Sequence, residues 1–177
     1  YTFPTVELSA APSVADTSKK YELGALAKTE DGNVYRYVQC DVSDAVDWAV
    51  GHPVGIVSGG TSYEVSADFS DITGGNCAGI ATAAVDVSAF TDGTDTVYQW
   101  IQVAGSAAVT LHSGSDVTHG LHVVWHADGT VDLLAAGEEH LSMGYCIGGS
   151  GTTSLRSEEH TSELQSHSDL VCRLLLE

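Results

Sequence analysis

Residues 98–105, Tyr-Gln-Trp-Ile-Gln-Val-Ala-Gly, constrain the fold more than any other part of the chain. An extended strand sends successive side chains to opposite faces, so Tyr98, Trp100, Gln102 and Ala104 share one side and Gln99, Ile101 and Val103 the other. Both sides carry large apolar groups, so the strand is expected to be central and covered on both faces. Gly105 is expected to end it and open a turn of small residues.

The rest of the chain reads as short strands cut by Gly-rich turns. Residues 1–20, with Pro4 and Pro12, hold no sustained period and suit an extended arm. Residues 23–27 and 34–40 flank Glu30-Asp31-Gly32-Asn33 and predict a hairpin, with Tyr35 and Tyr37 on one face of its second strand. Residues 41–48 are weakly helical at best, and residues 53–57 form a short apolar strand candidate. Residues 63–71 alternate in the manner of a half-exposed strand. Residues 77–85 are a run of small residues, against which another backbone or a bulky ring is expected to pack closely, Trp100 being the obvious ring. Further strands are expected at 107–112, 121–126, 130–134 and 143–147, the middle two joined by Ala127-Asp128-Gly129 as the clearest hairpin. Neither a convincing amphipathic helix nor an internal repeat is visible. The expected fold is all-β, a single small antiparallel-rich barrel or sandwich spanning residues 21–155.

The chain of 177 residues carries 24 acidic and 6 basic residues, a formal charge of −18. Such a surface repels phosphates and anionic lipid, so neither direct nucleic-acid binding nor membrane binding is expected. Residues 156–177 resemble the in-frame translation of a common sequencing-library adapter, interrupted near Ser168 and Asp169 where a variable index would sit. Such a segment is expected to be no part of the fold, and residues 162–176 at most an isolated helix. The body would then end near Leu155, short of its C-terminal closing strand, with four basic residues (Lys19, Lys20, Lys28, Arg36) against 19 acidic ones. The chain opens at Tyr1 without a methionine and without a recognisable signal peptide, and the longest apolar runs are well short of a bilayer span. Cys40, Cys77 and Cys146 have no Cys-x-x-Cys spacing, and Cys77 and Cys146 read as small buried hydrophobes.

Several groups raise a chemistry and then lose it to a simpler account. His119, His122 and His126 suggest a metal, but on a straight strand His122 and His126 stand roughly 13 Å apart, too far to share an ion. The turns Glu30-Asp31-Gly32-Asn33 and Asp92-Gly93-Thr94-Asp95 are acidic enough for calcium, yet hairpin turns favour these residues without any ion. Glu138 and Glu139 are adjacent and would face opposite ways on a strand. Tyr63, Tyr98 and Trp125 are candidates for a sugar-stacking platform, though single rings on separate strands are more often core. No Gly-x-Ser-x-Gly, His-Glu-x-x-His or phosphate-loop pattern occurs. No residue is assigned as catalytic, cofactor-binding or metal-ligating, and no cofactor is expected.

The order of the pieces carries a resemblance. A strand with an Asp-Gly turn and a Tyr-x-Tyr-Val partner (residues 23–38), the Ala-Gly-Ile-Ala segment (residues 78–81) and the Tyr-x-Trp-Ile-Gln-Val-x-Gly strand resemble the head decoration, or cement, proteins of tailed bacteriophages. The late hairpin at 121–134 follows the same order, and the likeness covers roughly residues 21–150. Gln99 departs from it, standing where a small residue is expected. The resemblance implies a non-enzymatic virion protein on the capsid exterior, a homotrimer whose partner is the major capsid protein. It further implies that the arm, with Lys19 and Lys20, orders on a neighbouring subunit. The competing expectation is an extracellular β-sandwich that binds carbohydrate or forms a surface layer.

Overall fold

The computed structural model describes residues 5–43, 46–57, 63–68, 72–90, 96–112, 117–126, 129–136, 142–147 and 152–157. Eleven strands follow in chain order: β1 (Thr5–Leu8), β2 (Leu26–Thr29), β3 (Val34–Cys40), β4 (Pro53–Val57), β5 (Glu64–Ser66), β6 (Ile72–Ala81), β7 (Val97–Thr110), β8 (His122–Trp125), β9 (Val131–Leu133), β10 (Gly144–Cys146) and β11 (Thr152–Ser157). The only helical turn among the described residues is a 3₁₀ turn, Val87–Ala89. The fold is all-β, as the alternating patterns and turn residues predict.

The strands β3, β5, β4, β6 and β7 are joined in a circuit of ladders. β3 runs parallel to β5, the pairs β5–β4, β4–β6 and β6–β7 are antiparallel, and β7 returns antiparallel to β3. All five contribute to one buried cluster, including Val38, Cys40, Val54, Val65, Ala81, Val97 and Ile101. The opposite faces of β3 and β7 carry Tyr35, Tyr37 and Trp100, which pack with Ala25, Ala27, Tyr21 and Tyr98 into an aromatic layer. Period-two alternation with apolar residues in both phases thus yields a strand buried on both sides.

β7 organises the molecule, and it is longer than its sequence suggests. The expected stop at Gly105 and restart at residue 107 are replaced by one strand of 14 residues. Gly105 has φ +102°, and the opposing ladder shifts register between Val34 and Tyr35. The extra residue is Val103, between Gln102 opposite Tyr35 and Ala104 opposite Val34, so the bulge falls two residues before the glycine, and Gly105 continues the strand rather than stopping it. Beyond it, β7 exchanges its partner: residues up to Ala104 pair with β3, and Gly105 to Thr110 pair with β11. β11 leads on to β10, β8 and β9, whose second core contains Val109, Val117, Val123, Val131 and Cys146.

Four other expectations change. Of the two approaches expected against the small-residue strand, a backbone or the Trp100 ring, the backbone is found, and Trp100 packs instead at 5.1 Å from both Tyr21 and Tyr37. β7 itself makes the close approach: a Cβ on Gly79 would stand 2.6 Å from the Gln102 carbonyl oxygen and 3.0 Å from Ile101 Cδ1. The end of the 41–48 segment is extended, with Trp48 and Val85 exchanging backbone hydrogen bonds at 2.9 and 3.1 Å. The arm contributes a strand of its own, since β1 pairs parallel with β2. At the other end, β11 runs two residues past Leu155, with Arg156 opposite Ser106 and Ser157 opposite Gly105. The helix expected over 162–176 lies outside the described residues.

Candidate interaction surface

The arm is held to its own body at two places. β1 lies along β2, and Asp16 exchanges backbone hydrogen bonds with Tyr98 at 2.7 and 2.8 Å. Lys20 pairs with the Asp16 carboxylate and its backbone N–H donates to the Tyr37 hydroxyl at 3.2 Å, while Lys19 pairs with Glu22 at 2.9 Å. Both arm lysines are thus engaged within the chain. Between the two anchors the arm forms one wall of a groove of about 550 Å³, whose other lining includes Val50, Ala84, Val85, Asp86, Phe90 and Val97. Val14 is 68% exposed and Val50 63% exposed, and both line it. Sequence reasoning missed this groove, because each valine is unremarkable until the fold sets them side by side.

The candidate metal ligands do not converge. His119 Nδ1 lies 3.2 Å from the Ile147 carbonyl oxygen, and His122 Nδ1 lies 3.1 Å from Ser142 Oγ. His126 stacks on His112 at 3.9 Å between centroids, a pairing that the sequence did not signal. Among the described residues no three His, Cys, Asp or Glu side chains are grouped to hold an ion.

In the first acidic turn the carboxylate is used locally. Thr29 Oγ1 donates to Asp31, and Asn33 Nδ2 donates to the same carboxylate at 2.8 Å. These bonds, led by that from Thr29, hold the Asp31 carboxyl below its ordinary range. The second acidic turn, 92–95, and the pair Glu138 and Glu139 lie outside the described residues.

The three aromatic residues offered for sugar stacking stand in different surroundings. Tyr98 stacks on Tyr37 at 6.0 Å in the aromatic layer, and Trp125 belongs to β8. Tyr63 packs against the cluster of the five-strand circuit. It marks a fork, where β2 and β5 take successive stretches of one edge of β3. Tyr63 has φ +67°, a conformation costly for a bulky side chain, and its ring lies against Gly24 with the Arg36 guanidinium 5.8 Å from its centroid.

Two cysteines are chemically quiet. Burial pushes the Cys40 thiol up to about 12 and the Cys77 thiol up to about 11. Cys40 Sγ also meets Gln99 Nε2 at 3.5 Å, and Gln99 Oε1 accepts from the Ala83 N–H at 3.1 Å. Gln99, fully buried, therefore ties β7 to β3 and to the segment after β6. No family model, curated protein or solved structure matches this chain.

Proposed function

We propose that the protein is a non-enzymatic structural component that binds the outer surface of a phage capsid and holds neighbouring major capsid subunits together, acting as a trimer. One observation carries this reading. The separate pieces on which the resemblance to decoration proteins rests are neighbours in space: the 23–38 hairpin joins β7 through β3, and the Ala-Gly-Ile-Ala segment joins it through Ile80 and Ala81. A likeness scattered along the chain thus becomes one continuous block around the Tyr-x-Trp-Ile-Gln-Val-x-Gly strand.

The physics of such a role is multivalency. Several modest contacts, presented together, reinforce one another through effective concentration. The formal charge of −18 suits a component that stays in solution until it meets a complementary protein surface and that avoids nucleic acid. The test begins with the genomic neighbourhood, where a major capsid gene is expected alongside. Capsids assembled from that gene's product should then carry this protein to saturation in co-sedimentation. Absence of binding to those capsids overturns the proposal.

A further inference from the structure

We propose that the groove between the arm and residues 83–90 seats an extended segment of a partner protein in which apolar and basic residues alternate. This deepens the capsid-binding reading and rests on it only for whose segment that is. A single exposed valine needs no explanation, whereas two on the lips of one apolar groove mark a place where water is meant to be displaced. Val14 and Val50 stand there, and the half-buried Phe90 is part of the lining.

Charge selects the occupant. The charged side chain lining the groove is Asp86, and Asp47, which accepts from the Val87 N–H at 2.9 Å, lies beside it. None of the four basic side chains of residues 1–155 is free to offset them: Lys19 and Lys20 are paired with Glu22 and Asp16, Lys28 lines a different groove, and Arg36 lies over Tyr63. A second copy of the chain would bring a further −18 against this surface, which argues against self-association there. A cationic partner gains where a copy loses. The groove is also preformed, since the Asp16–Tyr98 bonds fix the arm wall before anything binds.

The test uses the full chain and three short synthetic peptides, alternating Lys/Val, Lys/Ser and Glu/Val, read by fluorescence anisotropy. The Lys/Val peptide is expected to bind and the other two to bind far more weakly. Val14→Ser combined with Val50→Ser is expected to weaken Lys/Val binding by about tenfold or more, as the loss of two valine contacts requires. Because both side chains are exposed, the variant should keep its thermal midpoint. Asp86→Asn, which retains the oxygen that caps Ser88, should weaken binding by about threefold and flatten its salt dependence. Equal binding of Lys/Val and Lys/Ser, or undiminished binding by the double valine variant, overturns the inference. So does a dimer of the unliganded chain that the double variant abolishes. The same variant separates this inference from the capsid reading. If it saturates capsids as well as the parent chain does, the assignment of the groove to a capsid segment falls and the capsid reading stands. If the parent chain ignores capsids yet takes the Lys/Val peptide through Val14 and Val50, the reading falls and the groove stands.

Discussion

Asn33 occupies the space that a side chain on Gly105 would need. Its Oδ1 stands 2.1 Å from where a Cβ on Gly105 would lie, and it accepts from the Ser106 N–H at 3.0 Å and from Gln102 Nε2 at 3.3 Å. The hairpin turn between β2 and β3 thereby fixes the point at which β7 leaves β3 and takes up β11. One carboxamide couples a local turn to the point where β7 passes from β3 to β11.

Gly105→Ala should therefore be costly. A positive φ penalises a Cβ by about 1–2 kcal/mol, and displacing Asn33 forfeits a further hydrogen bond worth about 1 kcal/mol. The expected loss is about 2–3 kcal/mol in urea denaturation. Asn33→Ala alone should cost about 1 kcal/mol, and in its background Gly105→Ala should cost less than in the parent, because the clash with Oδ1 has been removed and only the 3.0 Å contact with Asn33 Cα remains. Strict additivity of the two would show that the contact is incidental.

Gln99 offers a second test. Replacing it with Leu keeps much of the volume but leaves the Ala83 N–H without its acceptor and Cys40 without its amide neighbour. The expected loss is about 1–3 kcal/mol by urea denaturation, the cost of one buried donor left unsatisfied. A neutral or stabilising Gln99→Leu would mean that the buried amide has no structural part.

The elements legible in the sequence were those whose evidence is local. Residues 34–40 and 53–57 became β3 and β4 with those bounds, and the hairpin at 121–134 became β8 and β9. The double coverage of residues 98–104 could also be read, because alternation reports burial directly. Long-range geometry could not. Nothing in Glu64–Ser66 announces a parallel partner, and nothing near Gly105 tells whether the glycine ends a strand or bends it until Asn33 is seen beside it. The arm's Thr5–Leu8 lacked a pattern long enough to register as a strand. The groove lined by Val14 and Val50 draws on distant segments, so no window along the chain contains it.

Alkaline pH should weaken the fold. Both thiols start from an ordinary value of 9.0, and burial raises Cys40 to about 12 and Cys77 to about 11. Tyr35 and Tyr37 are raised above 10.0, again chiefly by burial. A group whose folded value is raised adds stability that is complete below its unfolded value and lost as pH climbs through the folded one. The unfolded chain therefore ionises first, and the urea midpoint should fall progressively from about pH 9 towards 12. Cys40→Ala removes one titrating group and should make that decline shallower, even if the variant begins from a lower midpoint. An unchanged slope would remove Cys40 from the account.

The contribution of β11 can be separated from that of residues 158–177 by two deletions. Pairing holds Thr152–Ser157 to β7 over six residues and to β10 over two, and it is the longest connection of β8, β9 and β10 to the rest, beside the single Leu111–Val131 bridge. Ending the chain after Ser157 deletes the remainder of the adapter-like segment and should change stability by less than about 0.5 kcal/mol. Ending it after residue 151 removes the linking strand and leaves the far edge of β7 unpaired. Amides of residues 117–147 should then exchange hydrogen much faster, while those of the five-strand circuit keep their protection, because Val38, Val54, Val65 and Ile101 belong to a buried cluster to which all five of its own strands contribute. Equal loss of protection throughout would show that the two sheets fold as one cooperative unit. Loss of stability on the shorter deletion would show that residues 158–177 support the body.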